Sequence, residues 1–322
     1  MCTSIGFSYK EGVVFGRTLE IGVELDNEIL YVPSNTKDFI DAGLVKFDSK
    51  YNTIGSSFHN IASFGDGINE KGLMGSNNFL PGYASFSIGK AVGKINMTTA
   101  HAFDYLLTRC EDVEEVKERA EKIEIVEQGE DKSDRSIDSH FIFADKHGDM
   151  VVLEPKEGIL SIYDNPYGVL TNSPEFPWHV SNLKNYLHLQ SENRESKKFN
   201  GANISKLGEG TGMLGIPGDF TPPSRFVRAA YFVSNTPKDL PREEAILQGF
   251  RILSQFDIPK GAIVDPIEEH RHETLYTSIM DTKNMTYFIK AHNNINIQRF
   301  NLEDYKSQDE IKFIKVKKTM EL

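Results

Sequence analysis

Apolar and polar positions at the start of the chain alternate in the manner of two paired strands. Thr3 to Tyr9 reads as one strand, Lys10-Glu11-Gly12 as a turn, and Val13-Val14-Phe15-Gly16-Arg17 as the returning strand. Ile29 to Pro33 repeats the strand signal, whereas residues 34–64, rich in Asn, Ser, Asp and Gly, predict a long loop with short elements. Turn residues within Asp66-Gly67-Ile68-Asn69-Glu70-Lys71-Gly72-Leu73-Met74-Gly75 lead into a small-residue strand. The period then changes. Residues 98–124 carry helical spacing: Thr98 or Thr99 suits the first cap, and Val113, Val116 and Ala120, with Ile123 beyond, form an apolar stripe. Phe141–Ala144 and Met150–Leu153 flank a His147-Gly148 turn as a hairpin, and Ile159–Tyr163 adds a strand. Helices are predicted over 177–190, 224–235 and 242–256, the last opened by Pro241, and strands over Leu275–Met280, Thr286–Ala291 and Ile295–Phe300. Residues 190–222 are polar and Gly-rich and read as a long excursion. Strands, then helices, then strands predict an α+β fold of antiparallel sheets with segregated helices, in one domain.

Composition narrows the function. A formal net charge of -11 argues against a general binder of nucleic acid or of an anionic membrane, since both need a basic surface. No apolar run approaches the ~20 residues that span a bilayer, and the first residues lack a basic segment followed by an apolar one. A cytoplasmic protein is expected. The two cysteines, Cys2 and Cys110, provide neither a disulfide framework nor a cysteine-based zinc site. Cys110 falls in a helical segment and reads as a buried structural thiol.

Cys2 is the candidate for chemistry, the plainer alternative being a small apolar residue at a strand start. Removal of Met1 would put a thiol and a free α-amino group on one residue. An α-amino group with a pKa of about 7.7–8.0 can serve as local base for its own side chain. Phe15-Gly16-Arg17-Thr18-Leu19-Glu20 follows one hairpin length later, so Arg17 can lie beside Cys2 and stabilise a thiolate. Glu20 can hold the amino group; the plainer alternative for Arg17 and Glu20 is a surface ion pair. Donors for an oxyanion are available from Asn172, within Thr171-Asn172-Ser173-Pro174, and from a backbone N–H near Asn77-Asn78-Phe79-Leu80-Pro81-Gly82, although both segments also suit turns. Pro222-Pro223-Ser224-Arg225-Phe226 can deliver Arg225 from a helix start.

Several of these segments, in this order, resemble the choloylglycine hydrolases, a family of N-terminal nucleophile hydrolases that includes penicillin V acylases and conjugated bile salt hydrolases. The resemblance rests on Met1-Cys2-Thr3-Ser4, Phe15–Glu20, Asp66–Gly75, Pro81-Gly82-Tyr83, Leu170–Pro174 with Trp178-His179, and Gly215-Ile216-Pro217-Gly218-Asp219-Phe220-Thr221-Pro222-Pro223-Ser224-Arg225-Phe226. It implies a four-layer αββα sandwich over residues 1–322 (mature chain 2–322), a homotetramer, and no metal or organic cofactor. It implies Cys2 as nucleophile, Arg17 beside the thiol, Arg225 completing the polar site, and Asn172 with a backbone N–H around Phe79 as oxyanion donors. Two positions depart from the family pattern. Glu20 stands where an aspartate is usual, and Phe79 stands where penicillin acylases have tyrosine and bile salt hydrolases asparagine. Asn78 takes the asparagine's role only with a one-residue shift.

The resulting expectation is hydrolysis of a small-molecule acyl amide, penicillin V acylase-like, with conjugated bile salt hydrolysis as the alternative and acyl homoserine lactone cleavage as a side activity. A non-catalytic ligand-binding relative and a thiol redox sensor are the competing classes. Zinc hydrolysis is disfavoured: in Glu268-Glu269-His270-Arg271-His272-Glu273 the histidines lack the helical spacing of the common zinc motif, and a polar loop before Leu275 accounts for them.

Overall fold

The computed structural model describes residues 1–23, 25–129, 134–266 and 269–320. Cys2–Tyr9 (β1) and Gly12–Ile21 (β2) form the expected hairpin, with Cys2 opposite Leu19 and Ser4 opposite Arg17. Among the described residues the hairpin belongs to a seven-stranded sheet. Its order is Val169–Leu170, β1, β2, Arg271–Asp281, Thr286–Ala291 and Asn294–Asn301, with Ile263–Val264 beside Arg271–Asp281. A ten-stranded second sheet runs Lys312–Lys315, Asn27–Val32, Thr53–Phe58, Asp66–Asn69, Met74–Phe79, Ser139–Ala144, Met150–Lys156, Ile159–Asp164, Ile123–Ile125 and Ile95–Met97. Neighbouring strands are antiparallel except for the last two, which are parallel.

The helices lie outside. Thr99–Arg109 (α1) and Val113–Ala120 (α2) cover the second sheet. Phe176–Leu183 (α3) packs on Pro222–Ser234 (α4), which together with Arg242–Leu253 (α5) covers the first. The two sheets face each other, so the order is helix, sheet, sheet, helix. Strand periodicity builds this sandwich. In Ser139–Ala144, Ile142 and Ala144 enter the core shared with the first sheet, while Phe141 and Phe143 join Phe103 of α1 on the other face. Each buried aromatic of this kind stabilises the fold by about 1.5–3 kcal/mol relative to exposure. Cys110 is buried at the end of α1, as expected.

Several elements differ from the sequence reading. Thr53–Phe58, assigned to a loop, is an interior strand. Its small residues have little strand preference of their own, but a Cβ at Gly55 would sit 2.0 Å from the Asp66 carbonyl oxygen. The smallness is what lets Asp66–Asn69 approach. Lys312–Lys315, which carries no clear alternation, pairs with Asn27–Val32. Lys197–Phe199 and Ala202–Ile204 form a small hairpin within the 190–222 excursion. The helix expected over 177–190 ends at Leu183, followed by one 3-10 turn over Lys184–Tyr186. The strand expected from Leu275 begins at Arg271, so His272 is in the sheet rather than in a loop. Glu268 lies outside the described residues.

Candidate active site

Facing residues of an antiparallel pair project from the same side of the sheet. The register therefore sends Cys2, Ser4, Arg17 and Leu19 toward the second sheet, and Thr3, Thr18 and Glu20 toward the helices. Cys2 is 2% exposed. Arg17 Nη2 donates to Cys2 Sγ at 3.2 Å, and Arg17 Nη1 donates to the carbonyls of Gly65 and Asn77, each at 2.9 Å. Arg17 Nε lies 3.7 Å from Asp66 Oδ2. Asp66 in turn accepts the hydroxyls of Tyr276 and Tyr287, both at 2.6 Å, and of Ser56 at 2.9 Å. Burial alone would lower the basicity of Arg17, but Cys2, Tyr276, Asp66 and Glu20 more than offset it and hold the guanidinium charged.

Asn172 meets Cys2 from the other side. Its Oδ1 accepts the backbone N–H of Cys2 at 2.9 Å and Arg225 Nη2 at 2.7 Å, while its Nδ2 donates to the Phe79 carbonyl at 2.7 Å. Arg225, fully buried in the first turn of α4, also donates to the Cys2 carbonyl, to Thr3 Oγ1 at 2.8 Å and to the Phe220 carbonyl at 2.8 Å. Pro222 and Pro223 occupy that first turn, where a missing N–H costs nothing. Burial lowers Arg225, opposed by Glu20 and Cys2.

The segment bearing Asn172 is clamped through its own carbonyls, a feature the sequence reading missed. His140 Nε2 faces the Thr171 carbonyl at 3.2 Å, and its Nδ1 faces Glu154 Oε1 at 2.9 Å. His179 Nε2 faces the Asn172 carbonyl at 2.8 Å, with its ring stacked on Phe226 at 4.8 Å between centroids. Burial pushes His179 down to about 4, so it is neutral and donates from Nε2. The signal available was His179 within the Trp178-His179 motif; nothing singled out His140 or Glu154.

Phe79 and Asn78 separate cleanly. The Leu80 N–H bonds Asp138 and the Asn77 N–H bonds Gly65. By ladder alternation the Phe79 N–H and C=O therefore point away from Ser139, toward Asn172. The Phe79 ring is 45% exposed and lines the cavity above Cys2. Asn78 is buried and bonds Ser4 Oγ and the Leu170 and Thr171 carbonyls, so the structure does not give its side chain the pocket position that a register shift would require.

With Met1 in place the Cys2 nitrogen is a peptide N–H, and it donates to Asn172 rather than to the Glu20 carboxyl. Glu20 is 1% exposed, and among the described residues neither carboxylate oxygen has a hydrogen-bond partner of good geometry. Burial pushes this carboxyl up, against the pull of Arg225, the amino terminus and Arg17. What Glu20 does bond is Met1, through backbone alone: its N–H donates to the Met1 carbonyl at 2.9 Å and its carbonyl accepts the terminal amine. Met1 thus extends β1 by one residue and forms part of the wall of a cavity of about 280 Å³, whose apolar lining includes Leu19, Ile21, Leu25, Phe58 and Ile137.

Residues 2–312 match the family described as linear amide C–N hydrolases, choloylglycine hydrolase family. A bile salt hydrolase/transferase of Clostridium perfringens is 32% identical, covering 100% of this chain and 99% of that protein. A conjugated bile acid hydrolase of Lactobacillus gasseri is 30% identical over 94% of this chain and 96% of its own length. A solved mutant of the conjugated bile acid hydrolase from Clostridium perfringens superposes with a TM-score of 0.91 at 31% identity, covering 100% and 99% of the two chains. Penicillin V acylase from Agrobacterium tumefaciens shares the fold, with a TM-score of 0.75 at 20% identity over 97% and 90%. With a match along nearly its whole length and a sandwich to go with it, the chain belongs to the choloylglycine hydrolase family and hydrolyses linear C–N amide bonds.

Proposed function

We propose that the active form begins at Cys2, in one domain spanning 2–322, and that Cys2 is the nucleophile of a two-step acyl transfer. The observation that carries this reading is the convergence of sulfur, guanidinium and carboxamide: Arg17 and Asn172 both bond Cys2, beneath an apolar cavity. The Cys2 proton passes to its own α-amine, and the sulfur attacks the amide carbonyl. Arg17 supplies the positive charge beside the sulfur. The oxyanion is held by Asn172 Nδ2 and the Phe79 N–H, and Arg225 holds the Asn172 amide by its oxygen so that its nitrogen faces the reaction. The α-ammonium then protonates the leaving amine as the C–N bond breaks. Water, deprotonated by the same amine, releases the acid from the thioester.

The substrate in this reading is an apolar, ring-bearing acid joined to a small polar amine. The apolar wall over Cys2 supports it. Conjugated bile salts have this form, and relatives about 30% identical are named for that activity. Penicillin V also has it, and the exposed Phe79 ring favours a flat aromatic acyl group. We further propose a cytoplasmic homotetramer. Leu187, Phe199, Leu207 and Leu214 leave apolar surface exposed around the 190–222 excursion, which supports association there.

The test is release of free amine from glycine- and taurine-conjugated bile salts and from penicillin V. It is paired with intact mass and light scattering. The expected result is turnover of at least one class, a mass lacking Met1, a tetramer, and no turnover by Cys2→Ala. An active Cys2→Ala variant would overturn the mechanism.

A further inference from the structure

Asn172 is useful to the proposed reaction only if its side chain stays aimed, yet it sits on an irregular segment directly after the edge strand Val169–Leu170. The two peptide carbonyls flanking that position accept imidazole N–H groups from opposite layers of the sandwich. His140 comes from the second sheet to Thr171, and His179 comes from α3 to Asn172. We propose that His179 and His140 are positioning residues that aim the Asn172 carboxamide, resting on the reading of Asn172 as an oxyanion donor.

Three features separate these histidines from ordinary core residues. Both are fully buried, and both direct Nε2 at a carbonyl within two consecutive residues. His140 is itself oriented by Glu154 at Nδ1, and the same Glu154 Oε1 accepts the Phe176 N–H at the start of α3, the helix that carries His179. One carboxylate therefore bonds the His140 ring and the start of the helix that carries His179. Finally, His179 lies against α4 and is stacked on Phe226, the residue after Arg225, which grips the Asn172 side chain. A neutral ring suits this place, because a second cation beside Arg225 would be repelled. The backbone is thus held by imidazoles and the side chain by arginine, leaving Asn172 little freedom to rotate.

The test is a double-mutant cycle with kcat and KM measured separately. His179→Ala is expected to lower kcat by about 10- to 100-fold with KM within about twofold, as for a small displacement of a reacting group. His179→Gln, which keeps a donor, recovers part of the loss. In the Asn172→Ala background, His179→Ala should cost nothing further, because a residue acting only through Asn172 has nothing left to aim. If His179→Ala does not fold, His179→Leu replaces it, retaining the contact with Phe226 without a donor. A kcat within twofold of wild type for His179→Ala, or losses that multiply in the double variant, would overturn the proposal while leaving Asn172 in its role. Wild-type kcat in Asn172→Ala alone would instead overturn the reading beneath it.

Discussion

Arg17 donates to the sulfur of Cys2 at 3.2 Å while a second nitrogen of the same guanidinium ties down Gly65 and Asn77. One planar group therefore pairs with the proposed nucleophile and joins β2 to the two strands that border the pocket. An ammonium cannot do this, because its donors do not lie in a fixed plane. Arg17→Lys is expected to fold and to lose about 10- to 100-fold in kcat, in line with removal of a preorganised electrostatic contact. Arg17→Leu leaves the buried Asp66 without its cation and is expected to cost about 3–5 kcal/mol of stability. Denaturant midpoints and kcat measured on both variants check this; a fully active Arg17→Lys would refute it.

Glu20 lies near two buried arginines without hydrogen-bonding either. In the proposed reaction Glu20 acts through its field on those arginines, not through a hydrogen bond. Glu20→Asp should keep kcat within about fivefold, whereas Glu20→Gln should lower it by about tenfold or more, since uncompensated buried charge disturbs its neighbours. The reverse ranking would mean that carboxylate placement matters more than charge.

Asp104 of α1 is fully buried and accepts the Phe64 N–H at 2.8 Å, next to the Gly65 carbonyl that holds Arg17. Burial pushes its carboxyl up to about 7, against the pull of that N–H. A raised carboxyl is neutral in both folded and unfolded states at low pH. The fold then loses stability as pH rises from the unfolded value toward 7, and the loss is complete above it. Asp104→Asn keeps an acceptor without the charge. Its melting temperature relative to wild type should rise between pH 5 and pH 8, by an amount on the order of a few kcal/mol in stability. Thermal scans at four pH values would show it; a constant offset would contradict it.

Phe79 contributes its backbone to the proposed oxyanion site and its ring to the cavity wall. Phe79→Asn should therefore shift substrate preference chiefly through KM, with kcat on a small unhindered amide changed by less than about fivefold. Steady-state kinetics on a bile salt conjugate and on penicillin V test this. A collapse of kcat on every substrate would show that the ring supports the reaction itself.

Much of the sandwich was legible because its strands alternate and its helices carry stripes. The Cys2–Arg17 contact follows from hairpin length alone. What escaped notice depends on partners remote in sequence. Thr53–Phe58 is a strand because two neighbours enclose it, with Gly55 admitting one of them closely. His140 is 31 residues from the carbonyl it holds, in a strand whose apolar neighbours dominate the pattern. Glu20 could be placed near Cys2 from the motif, but only the pleat reveals that its side chain leaves by the opposite face.

The added backbone pair between Met1 and Glu20 makes residue 1 a tenant of the room proposed for the substrate. A molecule still carrying it has that cavity walled in part by its own first residue. Under the proposed mechanism, the fraction of working enzyme in any preparation would then follow the fraction of chains that have lost Met1, and not how much protein has been made. Specific activities compared between expression hosts would rank the hosts' trimming before they rank the enzyme.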